Sequence, residues 1–95
     1  MAELFPGQVE RIDLTIEQVR VLSSEIRNEV FYSYQKREPR SVAEVANGLG
    51  KSAQTVHYHT NELADAGLLI AVEERKVRSR TEKLYVHAAL STNSR

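Results

Sequence analysis

The sequence predicts an α+β domain that is mainly α-helical and has a small β-hairpin near its carboxyl end. Apolar residues recur at steps of three and four through the first half of the chain, which is typical of amphipathic helices. Two later helix-like segments are each followed by glycine. After the last glycine come an apolar segment and an alternating segment, both typical of β-strands. The 95 residues are enough for one small domain, which we expect to span residues 1–95.

Composition excludes several classes of protein. The chain has no Cys, so it carries no disulfide, no thiolate metal site and no cysteine nucleophile. Its longest apolar run, at residues 67–72, is far shorter than the roughly 18 residues that span a bilayer. No basic segment followed by an apolar stretch stands at the N-terminus, so nothing indicates export. We therefore expect a cytoplasmic protein without a membrane span.

Charge is unevenly distributed along the chain. Lys plus Arg equals Asp plus Glu, 13 against 13, so the formal net charge is +0. Residues 1–30 nevertheless carry three Arg against six acidic residues, and residues 73–95 carry six basic against three acidic residues. The first segment therefore has a net charge of 3 − 6 = −3 and the last a net charge of 6 − 3 = +3. A neutral protein with this gradient can still present one basic face.

The first predicted helix covers about residues 15–36. Thr15 and Gln18 have the spacing of a capping box, in which each side chain bonds to the backbone N–H of the other residue. The apolar residues that follow lie on one helical stripe: Val19, Leu22, Ile26, Val30 and Tyr34. The pattern is that of one helix, or of two helices broken near Ser23–Ser24. Pro39 ends the segment because it disfavours helical geometry at the residue before it.

Two shorter helices are predicted next, at about residues 42–48 and 53–66. Ser41 and Glu44 form a second capping-box pattern before the first of them. The glycines at 48 and 50 can take positive φ and turn the chain sharply, and Ser52 can cap the helix that follows. The inward face of that third helix is expected to hold Val56, Leu63 and Ala66, with His59 or Thr60 between them.

A β-hairpin is predicted over about residues 68–87. The apolar run 68–72 is expected to form one strand packed on the helices, and residues 81–87 to form its partner. The connection at residues 73–80 is long and charged, so we expect it to project into solvent as a mobile arm.

Helix, short helix, glycine turn, helix and hairpin follow one another in the order of a winged helix-turn-helix. Four segments of the sequence add to this order: LSSEIR at 22–27, VAEVA at 42–46, LGKS with TVHYH at 49–59, and LADAGL at 63–68. Together they resemble the signature of ArsR-like winged-helix transcriptional regulators. The resemblance covers about residues 20–88. It implies a prokaryotic transcriptional regulator that binds double-stranded DNA as a dimer.

The chain departs from that family's pattern in three respects. Thr60 stands where the family usually has an apolar residue, so the core at the end of the third helix is expected to be less apolar. Metal-sensing members use Cys, or sets of His and carboxylates, and this sequence has no such set, so we expect no metal and no cofactor. The family commonly dimerises through its terminal helices, but only a short tail follows the hairpin here. A homodimer would therefore form through residues 10–36, or through a region absent from this chain.

The fold implies that the third helix lies in the DNA major groove, with its N-terminal residues facing base edges. Gln54 is the best candidate base reader, because its amide can form two hydrogen bonds with adenine. Thr55 and His57 can reach base edges or phosphates, and Tyr58 and Asn61 can reach phosphates or the groove wall. The simpler alternative is that these are solvated polar residues on an ordinary helix.

Basic and polar side chains at two places are expected to contact the DNA backbone. Lys51 and Ser52 stand at the start of the third helix, where free N–H groups and the positive end of the dipole attract phosphate. Ser52 can equally serve as the helix cap alone. Four cations in the hairpin connection are expected to bind phosphates or enter the minor groove, unless they form only a solvated loop: Arg75, Lys76, Arg78 and Arg80.

Other functions are less well supported by the sequence. His57 and His59 are two residues apart, so on a helix they point in different directions and cannot chelate one ion. The chain shows no nucleophile motif, phosphate-binding loop or acid pair, so we do not expect an enzyme. The alternative to a DNA-binding regulator is a protein-interaction module that holds its partner with the third helix or the hairpin edge.

Overall fold

The computed structural model describes residues 14–88, and within them the chain forms four helices and three strands. The elements are α1 (Ile16–Leu22), α2 (Glu25–Ser33), β1 (Arg40–Ser41), α3 (Val42–Leu49), α4 (Ala53–Asp65), β2 (Leu69–Val77) and β3 (Arg80–His87). The strands form one antiparallel sheet in the order β1-β3-β2. The predicted α+β class is confirmed, and α3, α4 and the β2–β3 hairpin have the arrangement of a winged helix-turn-helix. We call this hairpin, residues 69–87, the wing.

The first helical segment is two helices, not one helix over residues 15–36. The Thr15 capping box is present, with both hydrogen bonds formed. The Ser23 hydroxyl donates to the Arg20 carbonyl oxygen at 2.7 Å and closes α1, while the Ser24 hydroxyl accepts from the Arg27 N–H at 3.3 Å and opens α2. The second helix ends at Ser33, short of 36, because Tyr34 takes an extended conformation and places its ring in the core.

The core lies between α2, α3, α4 and the base of the wing. Its fully buried side chains include Val30, Tyr34, Val45, Val56, Leu63 and Leu68. Only part of the predicted apolar stripe enters it, because Val19 and Ile26 remain exposed. The apolar run at the start of the wing is also only partly buried: Leu68 and Leu69 pack on the helices, whereas Ile70 and Val72 are exposed on an edge strand. The expectation that residues 68–72 pack on the helices throughout is therefore wrong.

Thr60, the unusual polar residue of the core, has a hydrogen-bond partner. It is fully buried on the inward face of α4, and its hydroxyl lies 2.9 Å from the Tyr34 hydroxyl of α2. Burial raises the pKa of Tyr34 to about 12 in spite of this hydrogen bond, so the phenol stays protonated at neutral pH. The pair satisfies two buried polar groups at the contact between α2 and α4.

The turn between α3 and α4 fixes the two helices relative to each other. Gly50 ends α3 in the left-handed conformation, with φ of 68°, and the N–H of Lys51 bonds to the Ala46 carbonyl at 3.0 Å. Ser52 then caps α4 by accepting a hydrogen bond from the Thr55 N–H at 3.1 Å. A side chain at position 50 would be strained at this φ, so glycine allows the sharp turn.

The predicted mobile arm at residues 73–80 is instead the outer half of the hairpin, which pairs without a break beyond a shift of register between Ala71 and Glu73. β2 continues to Val77, β3 begins at Arg80, and only Arg78 and Ser79 connect them. Opposite charges face each other across the strands, Glu74 with Lys83 and Arg75 with Glu82. These cross-strand pairs stabilise a segment whose charge, taken along the chain alone, is typical of a loop.

Two predictions concern parts of the chain beyond these elements. The predicted single domain, residues 1–95, lies partly outside the described residues. The first residues of the predicted dimer region, 10–13, lie wholly outside them. Among residues 14–88, no helix is long and apolar enough to cross a membrane.

Candidate nucleic-acid interface

The outward face of α4 carries all five residues that the sequence singled out as candidate DNA readers. Val56, Thr60 and Leu63 occupy the buried side of the helix. The polar candidates lie on the remaining surface, and each is exposed: Gln54, Thr55, His57, Tyr58 and Asn61. The helix therefore offers hydrogen-bonding side chains to a partner over two successive turns.

A groove separates α4 from the wing, and three of these side chains lie along it. Gln54, His57 and Asn61 follow one another at helical spacing on its α4 side. Residues of β3 form the other side, among them Arg80, Thr81 and Lys83, and the groove has a volume of about 630 Å³. Polar side chains of the helix and cations of the wing thus open to one surface.

The start of α4 is organised by its own cap. The Ser52 hydroxyl accepts from the Thr55 N–H at 3.1 Å and donates to the Thr55 hydroxyl oxygen at 3.0 Å. Ser52 thus acts as the N-cap of α4, which is the simpler of the two roles predicted for it. The Thr55 hydroxyl keeps its own hydrogen, which it can donate outward.

Lys51, at the same end of α4, has a carboxylate partner. Its Nζ atom lies 3.7 Å from Glu29 Oε1 on α2, and the Lys side chain is about one-third exposed. This contact joins the turn before α4 to the acidic first half of the protein. A partly exposed ion pair of this length is weak, so it orients Lys51 without fixing it.

The four cations predicted to bind DNA divide into two groups. Within residues 14–88, no carboxylate lies at ion-pair distance from Lys76, Arg78 or Arg80, and all three are exposed. Arg75 is different: its guanidinium lies 2.9 Å from Glu82 Oε2 and 3.4 Å from Glu44 Oε2. Arg75 is also exposed, but it is the one cation of the four that is bonded to carboxylates among residues 14–88.

Arg78 occupies an unusual backbone position. Its φ is 58°, which makes it the one non-glycine residue with positive φ among those that the structure describes. L-residues with long side chains seldom adopt this conformation, which typically costs on the order of 1 kcal/mol. Strain of this kind is often kept where the side chain has a function.

Sequence reasoning missed three residues that line the groove. Thr81 and Lys83 line the groove, and Glu82 lines it between them, paired through Arg75 to Glu44. The alternation from buried Tyr85 back through β3 is the signal that would have found Thr81 and Lys83. Residues 81–87 are predicted as a strand, so this alternation can be obtained from the sequence; the position of that strand face beside α4 cannot.

His59, the second member of the His-x-His pair, lies away from its neighbour. It is half-buried, and its Nδ1 atom is buried without a hydrogen-bond partner. Burial, followed by the positive charge of Arg27, holds its pKa below the ordinary value of 6.5. No group of three His or acidic side chains that could hold a metal ion occurs in the described part of the chain.

Comparison with protein families places the chain beside a known domain type. The model of a protein family described as a helix-turn-helix domain matches residues 22–72, just over half of the chain. The matched segment runs from the end of α1 into β2 and contains all of α3 and α4. A search of curated proteins found no match.

Proposed function

Because the chain belongs to the helix-turn-helix domain family, we propose that it binds double-stranded DNA sequence-specifically as an ArsR-like transcriptional regulator in the cytoplasm of a prokaryotic cell. The observation that carries this proposal is the groove that Gln54, His57 and Asn61 of α4 share with Arg80 and Lys83 of the wing. In this function the groove binds DNA, without a catalytic step, a metal or a cofactor.

In this proposal α4 enters the major groove. Gln54 reads an adenine through two hydrogen bonds, and His57 and Asn61, which lie on the same groove, contact neighbouring base edges or phosphates. Thr55 and Tyr58 contact the strand on the other side of the helix. Ser52 and Lys51 position the start of α4, where its N–H groups point at phosphate.

The wing contacts the backbone and the minor groove beside this site. Lys76, Arg78 and Arg80 supply the charge, since none of them is neutralised by a carboxylate among residues 14–88. Arg78 stands at the tip with its strained backbone, which favours it as the residue that enters the minor groove. Helices α1 and α2, which carry three Glu against two Arg, would face away from DNA, in keeping with a net charge of +0 for the whole chain.

The first test measures binding to a fluorescent duplex library by anisotropy at two salt concentrations. We expect affinity to fall steeply with salt, because each phosphate contact contributes about 0.9 to the slope of log K against log salt. The double variant Arg78→Ala with Arg80→Ala should bind more weakly and lower that slope by about 2. Arg20→Ala removes a cation from α1, outside the groove, and should leave the slope unchanged.

Failure of folded protein to bind any duplex at low salt would contradict the proposal. The protein-interaction alternative would then gain support from partner binding that survives the Arg78 and Arg80 substitutions but is lost on Tyr58→Ala. Tyr58 is the exposed aromatic residue of α4 and is also a proposed DNA contact, so the Arg78 and Arg80 substitutions are what separate the two functions.

We further propose that two copies bind a palindromic site, joined through residues 10–36. Three large apolar side chains support this region as an interface, since single-chain packing leaves Ile16 76%, Val19 54% and Tyr32 68% exposed. Burying them against a second copy would remove apolar surface from water and place two α4 helices on successive half-sites.

Sedimentation velocity tests the dimer. We expect the wild-type protein to sediment as a dimer and Val19→Glu to sediment as a monomer, because a carboxylate would be buried in the interface. Ile70→Glu is the matched control: Ile70 is likewise a half-exposed apolar residue, but it lies on β2 and should leave the dimer intact. A monomeric wild-type protein, or a dimer in both variants, would contradict the assignment to residues 10–36.

A further inference from the structure

One cluster of charges joins the wing to the rest of the helix-turn-helix. The Arg75 guanidinium of β2 donates to Glu82 Oε2 of β3 twice, from Nε at 3.2 Å and from Nη2 at 2.9 Å. The same Nη2 donates to Glu44 Oε2 of α3 at 3.4 Å. One side chain of the wing is thus bonded to its own hairpin partner and to the first helix of the helix-turn-helix. We call this set the Arg75 bridge: Arg75, Glu82 and Glu44.

The α3 end of the Arg75 bridge is fixed in place. Glu44 Oε1 accepts a hydrogen bond from the Ser41 N–H at 2.9 Å, and the Glu44 N–H donates to the Ser41 hydroxyl at 3.1 Å. Ser41 is fully buried and pairs with Leu84 of β3. One oxygen of the carboxylate therefore caps α3, while the other holds the wing. The pKa of Glu44 is lowered, chiefly by the Ser41 backbone hydrogen bond, and Arg75 lowers it further.

The electrostatics of the bridge matter for DNA. Glu82 lines the groove beside Gln54 and Arg80, and only 18% of its side chain is exposed. Its carboxylate would repel phosphate if it stood alone at the groove, and Glu44 adds a second carboxylate beside the same guanidinium. The guanidinium cancels part of that charge through Nε and Nη2, while its Nη1 makes no hydrogen bond within the described part of the chain.

We propose that Arg75 is a positioning residue of the wing, which holds the hairpin against α3 and shields Glu44 and Glu82 from DNA instead of binding phosphate itself. This inference rests on the proposed DNA-binding function. It differs from the sequence-based expectation, which grouped Arg75 with Lys76, Arg78 and Arg80 as one set of phosphate contacts.

A double-mutant cycle in DNA affinity separates the two roles. Arg75→Gln is measured in the wild-type background and in a carboxylate-free background, which carries Glu44→Gln and Glu82→Gln. Glutamine at position 44 retains the capping box, so α3 keeps its start. If Arg75 shields the carboxylates, its loss lowers affinity about tenfold in the wild-type background and less than about twofold in the carboxylate-free background.

A direct phosphate contact gives the opposite pattern. Removal of the two carboxylates would then free the guanidinium for DNA, and Arg75→Gln would cost as much or more affinity in the carboxylate-free background. That result would overturn the proposal. Lys76→Gln is the matched control: it removes a cation from the next residue of β2, and its cost should be the same in both backgrounds.

Hydrogen exchange of the free protein tests the wing without DNA. We expect Arg75→Gln to speed amide exchange in the outer half of β2 and β3, and Lys76→Gln to leave it unchanged. Equal exchange in the two variants would overturn the positioning role. If the wild-type protein binds no duplex, the DNA-binding function fails, and the exchange result alone decides whether Arg75 holds the wing.

Discussion

At the scale of single residues, the hydrogen bond between Tyr34 and Thr60 makes the clearest prediction. Both side chains are buried, and their hydroxyl oxygens lie 2.9 Å apart. Thr60→Val should lower the free energy of unfolding by about 1–3 kcal/mol, because the Tyr34 hydroxyl would lose its buried partner. Urea denaturation measures this loss. The double variant Tyr34→Phe with Thr60→Val should recover most of it, and equal stability of Thr60→Val and wild type would contradict the prediction.

Single residues also show where sequence reasoning succeeds. The capping boxes at Thr15 and Ser41 were predicted and are present, since each depends on side chains only three positions apart. The Arg75 contact with Glu44 was not predicted, because the two residues are 31 positions apart. Such a pair depends on strand register and helix placement, which no local pattern specifies.

At the scale of elements, a substitution at the tip of the wing should affect stability and DNA affinity in different ways. Arg78→Gly should leave the free energy of unfolding unchanged or raise it by up to about 1 kcal/mol, because glycine adopts a φ of 58° without strain. Arg80→Gly, the matched control, should lower it by about 0.5–1 kcal/mol, since Arg80 lies in β3. Both variants should bind DNA more weakly than wild type, because each loses one cation. Thermal unfolding and anisotropy on the same samples measure the two effects, and a stability loss for Arg78→Gly would contradict the first.

The wing is also the element that sequence reasoning described least well. Its charged outer half was expected to be a mobile arm, because eight consecutive residues contain only one apolar side chain. Paired as strands, the same residues bring Glu74 opposite Lys83. The charges along one strand therefore indicate a hairpin only when the residues opposite them on the other strand are known. The helices were easier to predict, since their periodicity, caps and glycine stop lie within one stretch of chain.

At the scale of the whole molecule, the separation of charge predicted from the sequence has a structural counterpart. Among the described residues, α1 and α2 carry three Glu against two Arg, and the wing carries five basic against three acidic residues. Lys51, which lies between these two parts of the chain, pairs with Glu29 of α2 at the start of α4. The charge of each segment can be predicted, because it follows from counting residues. The sequence does not predict which apolar residues of the first half remain exposed, because their exposure depends on where the core ends.

The stability of the whole fold should depend on pH through His59. Its pKa in the folded protein is below 6.5, mainly because of burial and then because of Arg27; Lys51 acts in the same direction and Glu62 opposes them. Below pH 6.5 the unfolded chain therefore binds a proton that the folded protein resists, so the free energy of unfolding falls as the pH decreases through this region. Above that value both states are neutral at this residue, and it adds no pH dependence.

Urea denaturation at several pH values between about 7.5 and 5.5 measures this dependence. Glu44 does not interfere, because its lowered pKa adds a loss of stability only at more acidic pH, below its ordinary value of 4.5. His59→Gln should flatten the pH dependence, whatever its effect on stability at pH 7.5, since glutamine cannot titrate. An unchanged slope in this variant would show that another group carries the pH dependence, and a wild-type fold that gains stability on acidification would mean that burial does not suppress protonation of His59.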